Sequence, residues 1–266
     1  MSINIAVLNL MPNKVETERH LKSKICSLDK NLEFTFIKTA TYVSKNTDSK
    51  YLNNYYKELN EIKNQKFDAF VCTGAPLEKI PFESVIYWKE LKEIFNWARK
   101  KTFSSYFICW GAQAALYHHY GIDKYLMEKK ISGVFLQKKH TQIDPLTAKL
   151  PKNIPVPVSR YASIKESDLL KFKELELILG SKDSGPCLVL NKKDNEYYNF
   201  NHFEYDYDTL KNEYLRDLKV DSKTQIPTNY FPNNDPENDP IDCWMDNSKL
   251  FFNNWIDLIS TNKREK

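Results

Sequence analysis

Cys109 stands where a short apolar run ends and a helical pattern begins. Ser104 to Ile108 reads as a buried strand. Cys109-Trp110-Gly111-Ala112-Gln113-Ala114-Ala115-Leu116 reads as a turn opening a helix. A cysteine on such a turn is lifted out of the sheet, and its sulfur faces the backbone amides of the helix N-terminus. Those amides and the helix dipole favour a thiolate, the nucleophilic form. The arrangement is that of a nucleophile elbow, and the chemistry it offers runs through a thioester.

A thiolate nucleophile needs a base and a group to orient that base. The chain has five histidines: His20, His118, His119, His140 and His202. His118 and His119 fall two to three turns along the helix that leaves Cys109, so their rings point away from the sulfur. His202 follows the apolar run Tyr197-Tyr198-Asn199-Phe200 and sits at a strand end. Glu204, two residues on, is placed to fix the tautomer and stabilise the imidazolium. Spacing alone leaves open that His202 is a polar boundary residue with no function. The oxyanion needs backbone donors. Gly74 in Thr73-Gly74-Ala75-Pro76 and the amide of Trp110 are the candidates, although Gly74 also reads as an ordinary turn glycine. Cys72, Cys26, Cys187 and Cys243 read as core packing.

The elements that must position these groups alternate. Ile3 to Leu10 reads as a central parallel strand, followed by a helix carrying Glu16, Glu18 and His20. Leu32 to Thr39 reads as a second strand, residues 50–65 as a helix and Phe67 to Cys72 as a third strand. An amphipathic helix spans Ser84 to Lys101. This predicts an α/β protein with a doubly wound, mainly parallel sheet, whose site lies at the carboxyl ends of the strands. Leu175 to Leu179, Cys187 to Asn191 and Tyr197 to Phe200 read as shorter, partly antiparallel strands. Tyr207 to Lys219 and Ser248 to Ser260 read as helices, and 226–242 as a long loop. Neither a repeat nor a linker is visible, so residues 1–266 read as one domain.

Composition narrows the function classes. Of 266 residues, 41% are hydrophobic and 14% aromatic, as in a packed globular protein. The 39 basic and 35 acidic residues give a net charge of +4, too balanced to argue for a nucleic acid or membrane partner. No run approaches the ~18 apolar residues of a membrane span. The opening segment Ser2 to Val7 lacks the charged start of a signal peptide. Five scattered cysteines without a C-x-x-C pair suit a reducing cytoplasm and free thiols, and offer no zinc site.

The chain resembles the homoserine O-acyltransferase (homoserine transsuccinylase) family along nearly its whole length. The likeness begins with Leu8-Asn9-Leu10-Met11-Pro12, Lys14 and Glu16-Thr17-Glu18. It continues through Thr73-Gly74-Ala75-Pro76, Tyr87-Trp88, Cys109 to Ala114, Lys130-Ile131-Ser132-Gly133-Val134 and Ser159-Arg160-Tyr161. His202-Phe203-Glu204-Tyr205-Asp206, Arg216-Asp217, Asn229 to Pro232, Trp244 and Asn254-Trp255 complete it.

The resemblance implies a three-layer sandwich of the class I glutamine amidotransferase-like kind and a homodimer. It implies acyl transfer from an acyl-CoA to the hydroxyl of L-homoserine in methionine biosynthesis, with small-molecule substrates and no bound cofactor. Cys109 would form the acyl-thioester, His202 act as base and Glu204 orient it. Lys130 and Ser159 match substrate-site positions. Arg216 matches the arginine that holds the amino acid's carboxylate, although spacing alone makes it an i,i+3 partner of Glu213. Glu78 occupies the position that separates acyl donors in this family, where glycine goes with succinyl-CoA and glutamate with acetyl-CoA. A fixed carboxylate there repels the free carboxylate of a succinyl group.

Val158, Asn201 and Phe203 depart from the family pattern near the active centre. They leave open another hydroxy amino acid, such as L-serine, as acceptor. Glutamine amidotransfer is a further alternative, because Cys-x-Gly-x-Gln with a distal His-x-Glu also describes that superfamily. Phe107 stands against it, since amidotransferases usually carry glycine two residues before the cysteine.

Overall fold

The computed structural model describes residues 2–26, 29–42, 44, 46–141 and 144–264. Its strands are β1 (Ser2–Leu8), β2 (Asn31–Ile37), β3 (Tyr56–Lys57), β4 (Ala69–Cys72), β5 (Ser104–Ile108), β6 (Tyr125–Lys139), β7 (Asn153–Ser163), β8 (Leu175–Ser181), β9 (Gly185–Asn191) and β10 (Glu196–Asn199). Its helices are α1 (Lys14–Lys24), α2 (Ser49–Tyr55), α3 (Leu59–Ile62), α4 (Trp88–Lys101), α5 (Trp110–Tyr120), α6 (Glu166–Leu169), α7 (Thr209–Leu218) and α8 (Met245–Arg264).

The strands form one sheet in the order β3-β2-β1-β4-β5-β10-β9-β8-β6-β7. The first six run parallel, and the ladder turns antiparallel from β10 to β9 onward. β4 and β5 are buried at every position, as apolar runs covered on both faces must be. One face packs on α4 and α5 through Phe70, Phe107, Leu91, Phe95 and Leu116. The other packs on α1 and α8 through Val7, Val71, Tyr106, Phe251 and Trp255. Helices on both faces of a mainly parallel sheet make the predicted three layers. A third apolar cluster of Val134, Leu210, Tyr214, Tyr230 and Trp244 seats α7.

Three expectations change. The helix expected over 50–65 is broken into α2, β3 and α3, because Tyr56 and Lys57 pair with Phe36 and Ile37 at the sheet edge. The helix expected from Ser84 starts at Trp88; Phe82–Ser84 is a separate turn of 3-10 helix. The sequence reading places no strand between 121 and 174, yet the longest two lie there. β7 carries Pro155 and Pro157, which are tolerated because it pairs with β6 alone and forms the sheet edge.

That β6–β7 hairpin bends back over the ends of the parallel strands. The Pro157 carbonyl accepts from the His202 amide at 2.9 Å, and the Ala162 carbonyl accepts from Gln113 Nε2 at 3.1 Å. Gly133 staples the hairpin to the 226–242 loop. Thr228 donates to the Ser132 carbonyl at 2.9 Å and accepts from the Val134 amide at 2.8 Å. A Cβ on Gly133 would lie 2.2 Å from the Thr228 carbonyl oxygen, and the glycine has φ +142°. Gly133→Ala is therefore expected to cost about 2–4 kcal/mol, measurable by denaturant unfolding. Wild-type stability in that variant would refute the close approach.

Candidate active site

Four parallel strands deliver their carboxyl ends to one place. β1 leads into Asn9-Leu10-Met11-Pro12, β4 into Thr73-Gly74, β5 into Cys109, and β10 into Asn201-His202. β5 and β10 are adjacent, with Ile108 opposite Asn199, and the Cys109 amide donates to the Asn199 carbonyl at 2.7 Å. Cys109 and His202, far apart in sequence, thus emerge side by side.

Cys109 caps the N-terminus of α5 with φ 50° and ψ −117°. A left-handed φ at a non-glycine residue costs about 1–3 kcal/mol and marks a backbone held for a purpose. Gly111 permits the tight turn, since a Cβ there would lie 2.5 Å from the Thr73 carbonyl oxygen. Gly74 faces Cys109. A Cβ on it would lie 3.3 Å from Cys109 Cβ and 3.8 Å from the Trp110 nitrogen. The loop around Gly74 is held by Thr73, whose hydroxyl accepts from the Leu10 amide at 2.8 Å and donates to the Gly74 carbonyl at 3.0 Å. Lys14 fixes the facing turn by donating to the Asn9 and Met11 carbonyls at 2.6 and 3.3 Å. Burial pulls its ammonium down to about 8, with Glu18 opposing.

His202 Nδ1 and Glu204 Oε1 are 2.6 Å apart, and both residues are buried. Burial opposes a charge on the imidazole. The Glu204 carboxylate and the Cys109 sulfur outweigh it and hold His202 well above the ordinary histidine value. Among the described residues its Nε2 has no hydrogen-bond partner, which leaves it available to a reacting atom. Tyr205 stacks on the imidazole with ring centroids 4.1 Å apart. Its hydroxyl donates to Glu213 Oε1 at 2.8 Å.

A cavity of about 330 Å³ opens onto this pair. It is lined by Met11, Pro12, Gly74 and His202 on one side and Glu213 and Arg216 of α7 on the other. Arg216 lies at its exposed edge, with its Nε and Nη2 donating to Asp217 Oδ1 at 2.9 and 2.8 Å. Arg216 thus pairs with Asp217 rather than with Glu213, the partner that the i,i+3 spacing alone suggests. Lys130 and Ser159 stand behind this wall. Lys130 pairs with Asp217 at 2.7 Å and Glu213 at 3.5 Å, and the Ser159 hydroxyl donates to Glu213.

Glu78 is half-buried on a different loop. Its neighbours Ala75, Pro76 and Leu77 help to wall a second cavity of about 360 Å³ that shares Met11 and Pro12 with the first. Val158, Asn201 and Phe203 line neither cavity. Phe203 instead stacks on Phe251, with centroids 4.2 Å apart.

The remaining thiols divide. Cys72 and Cys187 are buried in the core; burial pushes the Cys187 thiol up to about 12. Cys26 and Cys243 are exposed, which corrects the core-packing expectation for those two. His118 bonds Asn96 Oδ1 at 2.9 Å and His119 sits 4.0 Å from Glu196, both far along α5 from the sulfur. Glu213, Tyr205 and His20 line the cavity without a site role in the sequence reading. Glu213 was findable, since Glu213 and Arg216 share a helix face at i,i+3.

The sequence model of the family described as Homoserine O-succinyltransferase matches residues 1–264. The chain belongs to this family. Its relatives include the homoserine O-acetyltransferase of Hyphomonas neptunium, 39% identical over 96% of this chain and 83% of that protein. That of Methanomassiliicoccus intestinalis is 42% identical over 96% and 83%. Homoserine O-acyltransferase activity follows from this membership, and the chain is an acyltransferase enzyme. Solved structures of the same fold include a glutamine amidotransferase from Thermotoga maritima (TM-score 0.61, 13% identity, 98% of this chain and 97% of that one). A glutamine amidotransferase from Methylobacillus flagellatus aligns with TM-score 0.59 at 9% identity over 97% and 95%. The fold is therefore class I glutamine amidotransferase-like. Among the described residues no helix is long and apolar enough to cross a membrane.

Proposed function

We propose that this homoserine O-acyltransferase moves an acetyl group from acetyl-CoA to the γ-hydroxyl of L-homoserine through a thioester on Cys109, serving methionine biosynthesis. The observation that carries the reading is the strained Cys109 elbow at the end of β5, beside the strand end that carries the buried His202–Glu204 pair, which lines the cavity of about 330 Å³. In the first half-reaction the Cys109 sulfur attacks the thioester carbonyl. The bond from carbonyl carbon to CoA sulfur breaks, and His202 gives its proton to the departing thiolate. In the second, His202 takes the proton of the γ-hydroxyl, whose oxygen bonds the acyl carbon as the bond to Cys109 breaks. The amides of Trp110 and Gly74 are the oxyanion donors in both steps.

The amino acid enters the cavity between His202 and α7. Arg216 offers a planar fork to its carboxylate, and Glu213 is an acceptor for its ammonium. Lys130 and Ser159 act on this wall by fixing Glu213 and Asp217. Homoserine remains the acceptor because Val158, Asn201 and Phe203, the departures that motivated another acceptor, lie outside the cavity.

Glu78 favours the acetyl donor. Its loop residues Ala75, Pro76 and Leu77 wall the second cavity, which contains no residue of α7 and is the proposed seat of the acyl-CoA arm. Glu78→Gly is expected to shift the kcat/KM ratio toward succinyl-CoA by about tenfold or more, since a charge that repels the succinate carboxylate is gone. An unchanged ratio would remove Glu78 from the specificity argument. The reading as a whole is tested by measuring CoA release across acetyl-CoA and succinyl-CoA against homoserine, serine and threonine.

A further inference from the structure

One side chain bridges the His202 imidazole and the α7 wall. Tyr205 is buried, and its ring stacks on the imidazole with centroids 4.1 Å apart and planes 21° from parallel. Its hydroxyl donates to Glu213 Oε1 at 2.8 Å. His202, Tyr205 and Glu213 all line the cavity of about 330 Å³. A phenol is flat and stiff, with only two side-chain torsions. A group held on its face and a group held at its oxygen therefore keep a fixed separation.

Both ends of this bridge are themselves held. The Tyr205 carbonyl accepts from Trp244 Nε1 at 3.2 Å, and the Tyr205 amide donates to the His202 carbonyl at 3.4 Å. Glu204 fixes the imidazole at Nδ1. On Glu213, Tyr205 occupies Oε1, while the Ser159 hydroxyl donates to Oε2 and Lys130 Nζ lies 3.5 Å from it. An ionised carboxylate offers about four acceptor positions, so capacity remains for an incoming ammonium. Burial, and then the Glu213 carboxylate, push the phenol well above its ordinary value, which keeps the hydroxyl a donor. A free carboxylate on a cavity wall would sample several rotamers; this one is set before any ligand arrives.

We propose that Tyr205 is a positioning residue that fixes Glu213, the acceptor for the amino acid's ammonium, at a set distance from His202, so that the docked amino acid presents its hydroxyl to the base. The ring serves the base, and the hydroxyl serves the acceptor site. Removing the hydroxyl alone keeps the first role and loses the second.

The proposal rests on the reading of Glu213 as ammonium acceptor. Its test is a double-variant cycle in the full chain. Initial rates are measured with the acyl-CoA that the wild type turns over, so the choice of acyl group does not enter. In Tyr205→Phe, kcat/KM for homoserine is expected to fall about tenfold, and kcat/KM for the acyl-CoA less than threefold. A general loss of structure lowers both alike. In a Glu213→Ala background, the same Tyr205→Phe change is expected to cost less than threefold further, because the hydroxyl acts through the carboxylate. An unchanged homoserine value in Tyr205→Phe, equal losses for the two substrates, or equal losses in the two backgrounds overturns the proposal and leaves the acyl transfer reading standing. A native homoserine value in Glu213→Ala removes Glu213 from the acceptor site, and the proposal falls with it. Should Tyr205→Phe not fold, Glu213→Asp decides, since it keeps the charge but draws it back from the phenol. A tenfold loss for homoserine there upholds the link, and a native value overturns it.

Discussion

Cys109→Ser is expected to abolish the acetyl adduct that acetyl-CoA alone leaves on the wild-type chain, and to lower turnover by at least about 10⁴-fold. The oxygen of serine sits on the same strained turn, with φ 50° imposed by the β5–α5 junction, so the fold is retained. What is lost is the nucleophile. A serine hydroxyl is a far weaker acid and a poorer nucleophile than a thiol. Intact mass after incubation with acetyl-CoA distinguishes the outcomes. One acetyl group on the wild type and none on the variant supports the thioester. An adduct that survives in the variant, or full turnover without one, refutes a covalent route through this residue. The other four thiols serve as internal controls.

Glu204→Gln is expected to cost about 10²–10⁴ in kcat. Burial alone would drive the His202 imidazole neutral; the Glu204 carboxylate is the first of the groups that overturn this. An amide in its place cannot stabilise the imidazolium and can hold the ring in the wrong tautomer. The variant has a thermodynamic signature as well. His202 is raised in the folded chain, so its pairing stabilises the fold fully below the ordinary histidine value of about 6.5 and ceases to do so as pH climbs through the raised value. The gap in stability between wild type and Glu204→Gln is therefore largest near pH 6 and narrows on the alkaline side. Denaturant midpoints at several pH values measure it, and a gap that widens with pH would contradict the pairing.

The frame of this site was legible because its signals are local. β4, β5 and the start of α5 are short apolar runs with abrupt ends, and Cys109 falls at such an end. His202 and Glu204 are two residues apart, so their contact needs no knowledge of tertiary structure. What escaped was whatever depends on distant chain segments. The β6–β7 hairpin hid behind the lysines of β6 and the prolines of β7, which look unlike a strand until β7 is known to be an edge. Arg160 sits on that hairpin, and its hydrogen bonds to Phe200 and Asn201 depend on chain that arrives from β10. Glu213 had a helical spacing to betray it, but only the packing of Tyr205, Ser159 and Lys130 around it shows that it forms a wall. Cys26 and Cys243 carry no neighbouring pattern that separates an exposed thiol from a buried one.

The side-by-side exit of β5 and β10 has an evolutionary consequence. Cys109 and His202 are indexed to each other by backbone ladder bonds rather than by any side chain that selection could trade away. The pieces that choose a substrate (the Met11–Pro12 turn, the Glu78 loop and α7) hang from other strand ends and are free to diverge. A chain built this way can change what it acts on while keeping those two residues in register, and the same fold recurs in a solved glutamine amidotransferase structure at 13% identity.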